Sequence, residues 1–218
     1  MIETIIFDFD GVILDSMGIK SDAFARLYLP YGEELSKIAV EYHESTAGMS
    51  RYKKFVYLHK KYLNIDLSEK DVAEIDKDFS AYVMERIVDA PFVDGVLDFL
   101  EENFTNYKMF VSSGTPLYEL EKTVRLRGLE KYFVKLFGSP RVKTDHISEI
   151  LTKNNLFPQN VLFIGDGIKD KEAANSTNVH FIARIVENSM LKGEKYQIND
   201  FSEIQKVLQK INLSDIVC

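Results

Sequence analysis

The chain of 218 residues contains no tryptophan, five prolines and a single cysteine. That cysteine, Cys218, is the last residue, so an internal disulfide cannot form and a thiol nucleophile is not expected. Dense positive charge is also missing. Lys and Arg number 27 against 34 Asp and Glu, for a net charge of −7, so a nucleic-acid backbone is not an expected partner. The four histidines, His43, His59, His146 and His180, show none of the short spacings that hold zinc. No apolar run reaches transmembrane length, so no membrane partner is expected. The first apolar run opens about three residues after Met1, too early for a signal peptide, so a cytoplasmic location is expected. What remains is ordinary globular composition, 45% hydrophobic and 28% charged. A chain of this length buries a core without staples, as one large domain or as a domain with a substantial insertion.

The most informative stretch is Thr4-Ile5-Ile6-Phe7-Asp8-Phe9-Asp10-Gly11-Val12. An apolar run of β-branched and aromatic residues, stopped by acids and glycine, reads as a buried parallel strand with carboxylates at its C-terminal end. Ligands bind at that end in open α/β sheets. Asp8 and Asp10 share parity, so both could face one site, where they would need a cation or a shared proton. The alternative is a solvated turn, which Asp and Gly also favour.

From Asp15 to about Asp89 no strand is evident, and apolar residues such as Val72, Ile75, Phe79, Val83 and Ile87 recur at helical spacing. The pattern predicts helices at Gly18–Leu29, Glu34–Glu44, Ser50–Leu63 and Ser68–Val88. Breaks fall at Pro30-Tyr31-Gly32, Ala47-Gly48 and Asn64-Ile65-Asp66. Ser68 with Asp71 signals an N-cap, and Ser50 could cap its own helix. Tyr52, Phe55 and Tyr62 are expected in the insertion's own core. After Asp89-Ala90-Pro91 helix and strand alternate, the signature of a parallel sheet. Strands are predicted at Lys108–Val111, Phe133–Phe137, Val161–Ile164 and Val179–Ala183. Helices are predicted at Val93–Glu102, Pro116–Arg127, Asp145–Asn154 and Phe201–Ile211.

Three strands thus end in polar clusters: Asp8 with Asp10, Ser112 with Ser113, and Asp166 with Asp170. Parallel strands bring such ends to one sheet edge. Several carboxylates without histidine or cysteine ligands favour a hard, oxygen-seeking cation, Mg²⁺ foremost.

At these positions Asp8-Phe9-Asp10-Gly11-Val12, Ser112, Lys143 and Gly165-Asp166-Gly167-Ile168-Lys169-Asp170 resemble, in type, order and spacing, the four motifs of the haloacid dehalogenase superfamily. The likeness spans the chain. Its helical insertion is similar to the cap of the branch containing β-phosphoglucomutase and phosphoglycolate phosphatase. The resemblance implies an α/β fold, with a Rossmann-like parallel-sheet core over residues 1–15 and 89–218 and an inserted helical cap over 16–88. It implies that Asp8 is the nucleophile, forming an aspartyl-phosphate, and Asp10 the general acid and base. It also implies Mg²⁺ held by the side chains of Asp8 and Asp166 and the Asp10 carbonyl, with Asp170 acting through water or by orienting neighbours.

By the same resemblance Ser112 would hydrogen-bond a phosphoryl oxygen, backed by the N–H groups of Ser113 and Gly114. Lys143 would neutralise Asp8; read alone, it would be a solvated surface lysine. Asp10 argues against the dehalogenating and phosphonate-cleaving members, which lack it. Lys20 stands where mutase-type members carry a histidine. Ser113 replaces a frequent Asn, and Ala173-Ala174-Asn175-Ser176 falls where an Ala-Gly pair is common slightly later, but neither change removes a catalytic group. A Mg²⁺-dependent phosphatase of a small phosphorylated metabolite is therefore expected, with a phosphosugar mutase or a non-catalytic binding protein as alternatives. Finally, Ala47-Gly48-Met49-Ser50-Arg51 is similar to the cap loop that holds a substrate's non-reacting anion. Arg51 is then a candidate clamp, its alternative being a solvent-facing helix residue.

Overall fold

The computed structural model describes residues 1–46, 48–186 and 189–214. Ala47, at one predicted helix break, and Cys218 lie outside the described residues. A parallel strand covered on both faces must be apolar throughout. Thr4–Phe7 (β1) meets that demand, all four residues being buried. Period-two alternation sends Ile5 and Phe7 into one core and Ile6 into the other. The Phe7 ring packs with Phe99, Phe133 and Phe201 at centroid distances of 6.3, 6.2 and 6.2 Å.

Among the described residues the sheet has six strands in the order β3-β2-β1-β4-β5-β6, every neighbouring pair parallel. The others are β2 Lys108–Pro116, β3 Lys135–Ser139, β4 Val161–Gly165, β5 His180–Arg184 and β6 Gln197–Ile198. Phe7 is in register with Val111 of β2 and Ile164 of β4, so Asp8, Ser112 and Asp166 emerge at one edge. The chain leaves β1 toward β2 and later returns to its other side at β4. The β1/β4 crevice is therefore the switch point at which an open α/β sheet binds ligands.

Among the described residues, four helices lie between β1 and residue 88: α1 Met17–Tyr28, α2 Glu33–Ser45, α3 Arg51–Leu58 and α4 Glu69–Ile87. Five more follow: α5 Val96–Asn103, α6 Leu117–Leu126, α7 Lys143–Lys153, α8 Ile168–Ser176 and α9 Ile204–Ser214. Ser68 caps α4 as expected, its hydroxyl accepting from Asp71 N–H while the Asp71 carboxylate accepts from Ser68 N–H. Among the described residues no helix is long and apolar enough to cross a membrane.

Several expectations are corrected. β2 does not stop at Val111: after a register irregularity it pairs with β3 as far as Pro116, so Ser112–Thr115 are strand residues. β3 begins two residues late because Glu130–Tyr132 form a 3₁₀ turn. The helix predicted over Ser50–Leu63 is α-helical only to Leu58 and continues as a π-helical turn to Leu63, ended by Asn64 at φ 54°. Ser50 stands at the N-cap of α3, yet its side chain makes no capping bond. Phe55 is fully buried and Tyr52 partly so, whereas Tyr62 is exposed. The helix α8 was not expected, since its apolar positions show no stripe. The two-residue β6 is too short to show a period.

Candidate active site

Asp8 is the first residue past β1, held by its N–H on the Ile164 carbonyl at 2.8 Å. It is 3% exposed, and its Oδ2 lies 2.8 Å from Lys143 Nζ. Lys143, the first residue of α7, also pairs with Asp170, and is buried rather than solvated. Asp170 in turn accepts from Gly167 N–H at 3.0 Å, which fixes it in the first turn of α8. Burial pushes the Asp8 carboxyl up to about 7, with Asp170 adding to the rise and Lys143 opposing it. Asp166 is pushed well above the carboxylate range by burial and by the charges of Asp8 and Asp170. Burial disfavours the Lys143 ammonium, but the two carboxylates override this and keep it charged.

One oxygen each from Asp8, Asp166 and Asp170 lie within 4.8 Å of one another, all three residues being buried. Such crowding raises the cost of ionisation. An oxygen-only set of this kind suits a small hard cation, which would remove the repulsion. Gly11, at φ +77°, makes room for the Asp166 carboxylate: a Cβ there would fall 2.1 Å from Asp166 Oδ2. Of the four acids singled out in the sequence, Asp8, Asp166 and Asp170 bring their carboxylates together. The fourth, Asp10, turns its carboxylate elsewhere.

Asp10 Oδ1 accepts from Ser16 Oγ and Oδ2 from Thr115 Oγ1, each at 2.7 Å, and Oδ2 also pairs with Lys20 Nζ. Burial alone would raise its carboxyl, but the Lys20 ammonium and these hydroxyls bring it down to about 2. The two acids one residue apart are thus driven in opposite directions. Ser16, Lys20 and Thr115 carry no motif spacing that would have marked them as partners of Asp10.

Ser113, Gly114 and Thr115 line a cavity of about 50 Å³ together with Asp8, Asp10, Asp166 and residues of the helices between β1 and β2. Ser112 does not line it. Its hydroxyl is fully buried, 2.9 Å from His146 Nδ1, a histidine that burial holds down to about 4 and hence neutral. A Cβ at Gly114 would come within 3.1 Å of the Gly48 carbonyl, so glycine permits the close approach of insertion and core here.

Arg51 differs from both readings of it. It lines the cavity but is 7% exposed, and its guanidinium is spent on internal acids. Its Nη1 and Nη2 clamp Glu119 of α6 at 2.7 and 2.6 Å, Nε pairs with Asp76 of α4, and Nη2 also donates to Ser80. It is thus a tie from α3 to α6 rather than a waiting cation. Arg51→Ala is expected to destabilise the protein by roughly 3–5 kcal/mol, because two buried carboxylates lose their partner. Denaturant unfolding checks this, with Arg51→Ala/Glu119→Gln recovering part of the loss; unchanged stability in the single variant would contradict the tie.

Against known proteins, residues 5–184 match the model of the haloacid dehalogenase-like hydrolase family. A phosphorylated carbohydrates phosphatase of Thermotoga maritima is 24% identical, over 96% of this chain and 99% of its own. Among solved structures, a β-phosphoglucomutase from Clostridium difficile superposes with a TM-score of 0.78 at 20% identity, covering 99% of this chain and 100% of that one. A predicted phosphoglycolate phosphatase from Haemophilus somnus gives 0.75 at 17% identity, covering 95% and 98%. At such identities the solved structures speak for the fold alone. The family match spans most of the chain and takes in all four motifs, and on that ground this protein is an enzyme that belongs to the haloacid dehalogenase-like hydrolase family.

Proposed function

We propose that the protein is a phosphatase of small phosphorylated metabolites, carbohydrate phosphates foremost, working through an aspartyl-phosphate on Asp8. The observation that carries this reading is the gathering at the end of β1 of the buried Asp8, Asp166 and Asp170 carboxylates around Lys143, with Asp10 lining the same cavity as Asp8 and Asp166. The name of the Thermotoga maritima relative supports the substrate class. In this reading residues 16–88 act as a cap over a core of residues 1–15 and 89–218. Asp8, Asp166 and the Asp10 carbonyl would hold Mg²⁺, with Asp170 orienting the set; the ion would supply charge neutralisation between carboxylate and phosphate.

Asp8 Oδ attacks phosphorus while the bond to the leaving oxygen breaks, and Asp10 gives that oxygen a proton. Asp10 then takes a proton from water, which attacks the aspartyl-phosphate, releasing inorganic phosphate and restoring Asp8. Lys143 balances charge on Asp8, and Ser113 and Gly114 receive phosphoryl oxygens, with Ser112 supporting them through its place on β2. Asp10 is ionised in the present arrangement. It becomes a proton donor only when the incoming phosphate draws Lys20 away from it, because Lys20 is what holds its proton affinity down.

Phosphate release from a panel of phosphorylated metabolites with Mg²⁺, run beside a bisphosphate-dependent isomerisation assay, tests the reading. Release without isomerisation is expected; isomerisation without net release, or neither, would overturn it. Asp10→Asn is expected to lower kcat on alkyl phosphates by roughly 10²- to 10⁴-fold. The first chemical step on p-nitrophenyl phosphate, whose leaving group needs no proton, should fall much less in a rapid-mixing burst. Equal small losses on both would remove Asp10 from acid–base work.

A further inference from the structure

With Arg51 committed to Glu119 and Asp76, the cavity needs another explanation for how it grips the non-reacting part of a substrate. Three cations line it: Lys20, Arg51 and Lys54. Lys20 is matched by Asp10 and Arg51 by two acids. Among the described residues Lys54 has no carboxylate partner, although it is 2% exposed. It sits one helical turn after Arg51 on α3, so both are offered by the same face. Its ammonium donates to the His43 carbonyl at 2.9 Å and meets His43 Nδ1 at 3.0 Å. An ammonium has three N–H groups and no acceptor, so one is unspent and Nδ1 must accept.

That contact places the His43 proton on Nε2, which is buried and among the described residues has no hydrogen-bond partner. His43 also lines the cavity, and its ring stacks on Phe24 at 4.6 Å, with Phe24 and Phe79 forming apolar wall beside it. Two buried side chains thus hold unspent donors next to aromatic faces. Leaving such donors dry costs free energy that a ligand oxygen recovers. Burial and the nearby charge of Lys20 hold the Lys54 ammonium down to about 7, as expected of a buried cation without an ion-pair partner.

We infer that Lys54 and His43 form the subsite that binds hydroxyl oxygens of a carbohydrate leaving group, the role that Arg51 cannot fill here. The inference rests on the phosphatase reading for its reaction but not for its binding. The donors face oxygen-rich chemistry, and the Phe24 and Phe79 walls suit the C–H face of a sugar.

Glucose 6-phosphate, ribose 5-phosphate and glycerol 3-phosphate serve as probes, each compared with p-nitrophenyl phosphate. Lys54→Met, which keeps the length and removes the donors, is expected to cut kcat/KM for the sugar phosphates by roughly 10- to 100-fold, mostly through KM. p-Nitrophenyl phosphate should change by less than about twofold, since it offers no hydroxyl. Lys54→Gln, which keeps a donor without charge, should lie between and controls for folding.

Calorimetric titration on an Asp8→Asn background gives a readout without turnover. There Lys54→Met should weaken sugar phosphate and leave inorganic phosphate unchanged. Equal losses on all ligands, no loss on any, or no sugar-phosphate binding by a protein that still cleaves p-nitrophenyl phosphate would overturn the subsite. Lys54-dependent binding without cleavage of any ester would instead overturn the proposed reaction and leave the subsite standing.

Discussion

Asp8→Asn is expected to leave no measurable phosphate release while folding at least as well as the parent protein. The amide nearly matches the carboxylate in size and retains an oxygen to accept Phe9 N–H, which now donates to Asp8 Oδ1 at 2.7 Å. It lacks the charge needed to attack phosphorus. Lys143 is not left alone, because Asp170 still pairs with it. Stability should move the other way. Asp8 has its proton affinity raised from the usual 3.8 to about 7, so the folded metal-free protein holds a proton that the unfolded chain has released. Stability from this group therefore falls as pH rises from about 4 to about 7. Asparagine does not titrate, so the metal-free variant should gain on its parent across that window and keep the gain above it. Urea unfolding at pH 5 and pH 8, beside phosphate release, checks both halves. Turnover surviving in a preparation free of contaminating phosphatase would remove Asp8 as nucleophile.

What the sequence makes legible is set by distance along the chain. Asp8 and Asp10 are marked by the apolar run they end, and the parallel sheet by alternation after Asp89, both being local signals. The three strand ends meet because parallel strands share an edge, so Asp8, Ser112 and Asp166 could be brought together without coordinates. Lys143 shows the limit: nothing near it distinguishes a buried partner of Asp8 from a surface lysine, and only the family resemblance singles it out. Arg51 shows the next limit. Its placement on a helix near the site was readable, but its partners stand 25 and 68 residues away, and they decide whether its charge is free. Ser112 with His146 and Lys54 with His43 are pairings of the same kind, invisible to periodicity because each depends on how elements pack.

Removal of divalent metal is expected to abolish turnover, and Mg²⁺ to restore it, because Asp8, Asp166 and Asp170 crowd their oxygens and, among the described residues, Lys143 alone forms ion pairs with them. The same crowding makes the test independent of substrate. In the metal-free protein Asp8 is held near 7 and Asp166 well above its ordinary range, so a cation must displace protons to reach either. Apparent affinity should therefore rise with pH through about 7, and Mg²⁺ should raise the melting temperature more at pH 8 than at pH 5.5. Asp166→Ala should lose most of this shift at both pH values. Calcium should raise the melting temperature as well but support little turnover, since its longer and looser coordination would misplace the attacking oxygen of Asp8. Full activity in chelator with metal depleted, or an Mg²⁺ shift of the same size at both pH values, would contradict a carboxylate-bound cation at this edge of the sheet. The pH arm adds what an activity assay lacks: it asks whether the ion competes with the protons that burial places on Asp8 and Asp166, and so whether it sits among these carboxylates.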